Sequence, residues 1–149
     1  MTLPRVALRV RETVLNVEDQ HSVAANELTA LLLAANFEVR QVGETMLPLD
    51  LHEYLTKPVA PAGVDVIVLG NAVGEFGLRT GDLVSAKARV KLTAVDTSTR
   101  RVLAVSEMEA REIDVAPHAA ALQAITAATR EVARDFVAKL VRAWNRKGT

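Results

Sequence analysis

Four glycines in the middle of the chain could form an anion-binding loop. They are Gly70, Gly74, Gly77 and Gly81. Glycine lets backbone N–H groups approach a phosphate closely, as they do in nucleotide-binding loops. The segment has neither Gly-Lys-Ser/Thr nor G-x-G-x-x-G, and it leads into a predicted strand instead of a helix. We therefore interpret residues 73–82 as a loop between two strands. The alternative is a small-ligand or nucleotide-dependent enzyme that uses residues 70–81 and Asp65.

The other side chains that could catalyse a reaction or bind a metal are scattered. His21, His52 and His118 are far apart, and no two have the spacing of metal ligands on one helix or strand. Asp19, His21 and Ser22 are the residue types of a catalytic triad, but three neighbours in one loop do not easily adopt that geometry. Ser22 is better explained as a helix N-cap. We predict no catalytic residue, no metal site and no cofactor.

Asp65 is the acidic residue that most needs an explanation, because it lies in a strongly apolar stretch. A carboxylate buried there without a partner would be costly. Asp65 stands near the start of the predicted strand, just after Gly63. We interpret it as an exposed strand end, and a buried functional acid is the alternative.

Basic residues form two rows on predicted strands. They are Lys87, Arg89 and Lys91 in one row and Arg5, Arg9 and Arg11 in the other. Surfaces that bind nucleic acid usually interleave aromatic side chains with such cations, and these rows contain none. Eighteen basic residues also balance eighteen acidic ones, so the net charge is zero and long-range attraction to phosphate is absent. We predict no nucleic-acid partner, and interpret the rows as a solvated sheet face or a protein-binding face.

Trp144 is the single tryptophan, and Asn-Arg-Lys follows it. Two interpretations remain open. The indole either closes the hydrophobic core or, as an aromatic beside basic residues, anchors a protein interface.

Hydrophobic periodicity predicts the elements that position these residues. In chain order they are a strand at 4–13, a helix at 23–35, a strand at 37–42, a short helix at 49–55, a strand at 64–72, strands at 83–96 and 101–113, and a helix from 117 to about 144. The expected fold is α+β in a single domain, 1–149, with a mixed sheet in the order β-α-β-(short α)-β-β-β-α. The alanine- and valine-rich composition, with 3 % aromatics, predicts a closely packed core.

The last two strands predict a long antiparallel hairpin around the turn at residues 96–100. Their apolar faces coincide when the pairing is centred on Thr99, which places Lys91 opposite Glu107 and Arg89 opposite Glu109. The final amphipathic helix should pack on one face of the sheet. At 1.5 Å per residue it is roughly 40 Å long, more than an ordinary strand, so its last turns are expected to overhang the sheet.

Several segments together resemble a group of bacterial cell-envelope assembly domains. They are Gly-Val-Asp-Val-Ile-Val-Leu-Gly-Asn-Ala at 63–72, the hairpin sequence at 88–104, Ala-Ala-Asn-Phe-Glu-Val at 34–39 and the alanine-rich last helix. The group comprises CsgG, the middle domain of FlgT, LpoB and the N-terminal domain of TolB. This sequence departs from it at Arg100, where these proteins often have glycine. The resemblance implies a non-enzymatic module that acts through protein contacts, and it supplies no catalytic residues.

The expected function is therefore a protein-binding or assembly module of the bacterial cell envelope, acting through the basic row Lys87, Arg89 and Lys91 or through Trp144. A protein partner is expected, and homo-oligomers are compatible with the sequence. The chain has no cysteine and no apolar run long enough to span a bilayer. The expected location is the periplasm or envelope if an export signal was removed, and the cytoplasm otherwise.

Overall fold

The computed structural model describes residues 2–19, 22–43 and 46–147. Its elements are β1 (Arg5–Val14), β2 (Val17–Asp19), α1 (Val23–Ala34), β3 (Glu38–Val39), α2 (Leu51–Thr56), β4 (Val66–Thr80), β5 (Leu83–Asp96), β6 (Val102–Asp114) and α3 (Pro117–Lys147). The strands form one mixed sheet in the order β2-β1-β4-β5-β6, and β3 pairs with β1. The predicted α+β fold, with a long hairpin and a long C-terminal helix, is confirmed.

The two faces of the sheet differ because apolar and polar residues alternate along its strands. On one face, α1 and α3 cover the main core, which is rich in alanine and valine. On the other face, α2 and the segments beside it cover a smaller cluster at one end of the sheet. That cluster consists of Ala7, Leu47, Tyr54, Val64, Ile67, Leu69 and Val95. The remainder of this second face is uncovered in the described part of the chain, and we call it the open face.

The prediction of a loop at residues 73–82 is wrong. Strand β4 continues to Thr80, and only Gly81 and Asp82 form the turn into β5. Two of the glycines are explained by close packing: a Cβ on Gly70 would lie 2.9 Å from Cγ2 of Val10, and one on Gly74 would lie 3.1 Å from Cδ1 of Ile125. These glycines therefore let side chains and a helix approach the sheet, and they do not form a phosphate-binding loop.

The loop expected around Asp19, between the first strand and the first helix, contains a short strand. Residues 17–19 form β2, which pairs with the end of β1. Leu15 and Asn16 connect the strands with φ values of 50° and 68°, a left-handed pair typical of two-residue hairpin turns. Asparagine adopts this conformation more readily than most residues, so Asn16 is the residue in the sequence that indicates this turn.

Two short elements differ from prediction mainly in length. The strand expected at 37–42 is only Glu38–Val39, parallel to the start of β1. The short helix expected at 49–55 is Leu51–Thr56, with Asp50 as its N-cap. Asn36, two residues after the end of α1, adopts a left-handed φ of 69°.

The hairpin register is confirmed, with Lys91 paired with Glu107 and Arg89 with Glu109 along the backbone. Its turn places Arg100 at a φ of 61°, the left-handed conformation for which glycine is favoured.

The expected overhang of the last helix is wrong. Helix α3 has 31 residues, about 46 Å at 1.5 Å each, whereas the 14 residues of β5 also span about 46 Å at roughly 3.3 Å each. The hairpin is simply far longer than an ordinary strand pair, so the helix matches it.

Glu12 links β1 to the start of α1. Its side chain is buried, with 1 % exposed, and its carboxylate accepts hydrogen bonds from the backbone N–H groups of Val23 and Ala24 at 3.2 and 2.9 Å. The hydroxyl of Ser22, the predicted N-cap, donates to Glu12 at 3.3 Å and accepts from Ala25 N–H at 2.9 Å. Since the first N–H groups of a helix lack partners within it, a buried carboxylate stabilises this end.

Replacement of Glu12 by alanine should lower the free energy of unfolding by about 1–3 kcal/mol, because two buried N–H groups lose a charged acceptor. Denaturant unfolding followed by circular dichroism measures the change. Glu18→Ala, on exposed β2, is the matched control and should cost less than about 0.5 kcal/mol. Equal losses in the two variants would show that the Glu12 cap contributes nothing specific.

Candidate functional site on the open face of the sheet

The open face carries the charged rows that the sequence singled out. Because side chains alternate along a strand, the odd-numbered residues of the paired strands share this face. They include Arg9, Arg11 and Thr13 of β1, Asn71, Val73 and Glu75 of β4, Lys87, Arg89 and Lys91 of β5, and Glu107, Glu109 and Arg111 of β6. The sheet register therefore brings both basic rows onto one surface, on either side of β4.

Much of the charge on β5 is neutralised by β6. Arg89 Nη2 lies 2.7 Å from Glu109 Oε1, and Arg89 Nε lies 3.6 Å from Glu107. Lys87 Nζ lies 3.6 Å from Glu109 Oε2. The hydrogen bond from Arg89 lowers the pKa of Glu109 below its ordinary value and raises that of Arg89 in turn. These pairs are solvent-exposed, so water screens them and each contributes little to the stability of the fold.

Lys91 differs from its two neighbours in the row. It is opposite Glu107 in register, but Arg89 takes up that carboxylate, and Lys91 forms no ion pair within the described residues. Lys91 and Glu107 therefore do not form an ion pair, although the predicted backbone register is correct. An exposed, uncompensated ammonium is left on the open face.

A groove of about 500 Å³ lies beside Lys91, where α2 approaches the sheet. Its floor is formed by β1, β4 and β5, and its wall by the start of α2. The lining residues are Arg11, Thr13, Leu49, Asp50, Leu51, His52, Leu69, Gly70, Asn71, Val73, Lys91 and Thr93. Arg11, the second cation of the groove, lies 3.5 Å from Glu18 in an exposed pair. The groove thus combines apolar floor and wall positions with two exposed cations.

Asp65 has a structural partner. Its carboxylate accepts hydrogen bonds from Arg5 Nε and Nη2 at 3.0 Å each, and from the Arg5 backbone N–H at 2.8 Å. The Arg5 side-chain bonds are the main reason why the pKa of Asp65 lies below its ordinary value. Asp65 immediately precedes β4, and its side chain is 29 % exposed. The strand-end interpretation is thus favoured, with Arg5 fastening the two parallel strands together.

Trp144 lies at the far end of α3 and is half-buried against the main core. Its indole N–H donates to the Thr2 carbonyl at 3.0 Å, and Lys147 Nζ lies 4.6 Å from the ring centroid. This environment favours the interpretation that Trp144 closes the core. Its role as an interface anchor stays a prediction.

The remaining candidates among the described residues do not converge on a reactive site. His52 and His118 are exposed, whereas His21 lies outside the described residues. No group of three His, Cys, Asp or Glu side chains in the described ranges could hold a metal ion. Within the same ranges, no helix is long and apolar enough to cross a membrane.

Sequence reasoning missed the groove beside α2. It identified Lys91 but not Arg11, Asn71 and Thr93 as its neighbours, because they come from three strands brought together by the sheet. The only local signal was the proline-interrupted stretch around α2, whose position over the sheet cannot be deduced from composition.

The fold and the open face define an α+β domain with one helix-covered sheet face. No protein-family model and no curated protein sequence matches the chain. Solved structures do share its fold. A minor lipoprotein from Acinetobacter baumannii matches with a TM-score of 0.53 and 11 % identity over 98 % of this chain and 95 % of that one.

Two further structures are similar to the same extent. A hypothetical protein from Chlamydia trachomatis has a TM-score of 0.54 and 9 % identity, covering 93 % of this chain and 96 % of its own. A Xanthomonas campestris protein of the family DUF330 has a TM-score of 0.54 and 11 % identity, covering 100 % and 90 %. At these identities the similarity establishes the fold. The finer resemblance to CsgG, FlgT and TolB stays a prediction.

Proposed function

We propose that this chain is a non-enzymatic protein-binding module of the bacterial cell envelope and that the groove on its open face binds an acidic segment of a partner protein. The lipoprotein among the structures of the same fold supports the location in the envelope. The scattered histidines and the structural pairing of Asp65 support a role without catalysis.

The observation that carries the proposal is the uncompensated Lys91 beside a groove that has apolar side chains in its floor and wall. Arg89 and Lys87 are already paired with Glu109, so their attraction to a partner is largely cancelled. Lys91 has no ion-pair partner among the described residues. Across the groove, Arg11 forms only a solvent-exposed pair with Glu18, at 3.5 Å. A partner segment with a carboxylate and an apolar side chain would pair with the cations and pack against the apolar lining.

The acidic-segment proposal predicts that Lys91→Glu will weaken capture of the partner from a bacterial envelope extract by at least about tenfold, since a like charge would then face the partner's carboxylate. The triple reversal of Lys87, Arg89 and Lys91 should abolish capture. Arg134→Glu is the matched control, because it reverses an exposed charge on α3. Quantification of the same captured protein across the variants provides the measurement. Undiminished capture by the triple variant would exclude the open face as the site.

The alternative enzyme has a separate test. Nucleotides and divalent metals should leave the melting temperature unchanged, because a ligand that binds only the folded state would raise it. A concentration-dependent rise with any of them would contradict the absence of a cofactor.

A further inference from the structure

Strand β6 lies at an edge of the sheet and pairs only with β5 in the described part of the chain. Within the described residues, no further strand pairs with the outer side of its 13 residues. Lys139 Nζ donates to the Val105 carbonyl at 2.9 Å, which identifies that carbonyl as directed away from β5. Because backbone groups alternate in direction along a strand, residues 105, 107, 109, 111 and 113 all present N–H and C=O groups outward.

The side chains of these five residues lie on the open face and read Val, Glu, Glu, Arg, Ile. Val105 is 42 % exposed and Ile113 is 62 % exposed. Native proteins usually blunt a long edge with charged side chains, prolines, bulges or a covering helix or loop. Here Arg89 and Lys87 hold Glu109 within the same chain, and Arg89 also lies 3.6 Å from Glu107, so the net negative charge of this edge is small.

We propose that two copies of this chain associate through antiparallel pairing of their β6 strands, about a twofold axis at Glu109. This register places each Glu107 opposite Arg111 of the second copy and each Val105 opposite Ile113 of the second copy. It would form about ten backbone hydrogen bonds and continue the sheet from one copy into the other. That number is typical of a specific protein interface.

Neighbouring registers are less complementary. A shift of two residues in one direction places Glu107 opposite Glu109 twice. The shift in the other direction also forms two Glu109–Arg111 pairs, but it places Glu107 opposite the apolar Ile113 and leaves Val105 without an opposite residue in β6. The chosen register brings the two Glu109 side chains together on the axis, where each already accepts a hydrogen bond from its own Arg89 at 2.7 Å. Lys139 need not be displaced, since a carbonyl oxygen can accept two hydrogen bonds.

Charge exchange tests the register. Sedimentation equilibrium of the 16.1 kDa chain should show twice that mass at high concentration. Arg111→Glu should raise the dimer dissociation constant at least about tenfold, because Glu107 would face a like charge. The double variant Glu107→Arg/Arg111→Glu should restore the dimer, since the pair is reversed intact. A wild-type chain that stays at monomer mass, or a double variant as weak as the single one, would overturn the proposal.

Disulfide trapping provides an independent measurement, since the chain has no cysteine of its own. Directly opposed residues in such a pair have Cα atoms about 5.5 Å apart, within reach of a disulfide. Glu109→Cys should therefore form a covalent dimer on mild oxidation. Lys57→Cys, at an exposed position after α2, should form far less. Equal trapping of both variants would indicate random collision and overturn the twofold axis at Glu109.

Lys91→Glu should leave dimerisation intact, which distinguishes this interface from the partner-binding groove.

Discussion

Replacement of Gly74 by valine is expected to destabilise the protein by about 3 kcal/mol, at the upper end of overpacking costs. A Cβ at this position would lie 3.1 Å from Ile125 Cδ1 and 3.3 Å from both Cβ and the backbone oxygen of Ala121. A side chain such as Ile125 can shift, but the carbonyl belongs to α3 and moves only with the helix. The γ-carbons of valine would therefore push α3 away from β4.

The measurement is thermal unfolding, with an expected fall of about 10 °C in Tm for a chain of this size. Gly43→Val is the matched control, because among the described residues a Cβ there would meet only Met46 Cγ at 3.8 Å, an ordinary contact. Gly74→Ala should lie between the two. A Gly74→Val protein as stable as the control would mean that the close contact between α3 and β4 is incorrect.

Replacement of Lys147 by methionine is expected to cost about 2 kcal/mol, because it leaves a buried carboxylate half satisfied. Asp96 at the end of β5 is only 1 % exposed, and its Oδ2 lies 2.6 Å from Lys147 Nζ. Its Oδ1 accepts hydrogen bonds from the backbone N–H and the hydroxyl of Ser98 at 2.8 Å each. Lys147 thereby fastens the last turn of α3 to the turn of the hairpin.

A double-mutant cycle in denaturant unfolding isolates this coupling. Asp96→Asn/Lys147→Met should be less destabilised than the sum of the single variants, since no unpaired charge remains. Arg146→Met is the control for loss of a neighbouring exposed cation. Strict additivity of the two single changes would contradict a direct Asp96–Lys147 interaction.

The same pair makes a prediction about pH. Burial raises the pKa of Asp96, but hydrogen bonds from Lys147, Ser98 and Thr99 outweigh it, so the pKa lies below its ordinary value. A group with a lowered pKa stabilises the fold above its unfolded pKa, and this stabilisation disappears as pH falls through the folded pKa. The free energy of unfolding should therefore decrease below about pH 4. In the Lys147→Met protein, the pKa of Asp96 loses the lowering effect of Lys147, whereas the raising effect of burial remains. This variant should therefore lose less stability on acidification than the wild type. An identical acid dependence of the two proteins would contradict this.

The hairpin could be predicted from the sequence because the pattern that specifies it lies within two consecutive strands. Alternation along β5 and β6 fixes which residues share a face, and coincident apolar faces then fix the register. The prediction from the sequence was wrong at the end of β4, where the glycines suggested a loop. Gly70 and Gly74 are required by contacts with β1, β5 and α3, and nothing adjacent in the chain reveals those contacts.

The candidate site shows the same division between local and tertiary information. The sequence by itself determined that Lys87, Arg89 and Lys91 form a row opposite Glu107 and Glu109, because alternation along both strands and the coincidence of their apolar faces specify this pairing. The tertiary structure decided how those charges are distributed. Arg89 reaches both acids because its long, branched side chain can bridge neighbouring positions, and Lys91 is left beside a groove that exists only because α2 packs over the sheet.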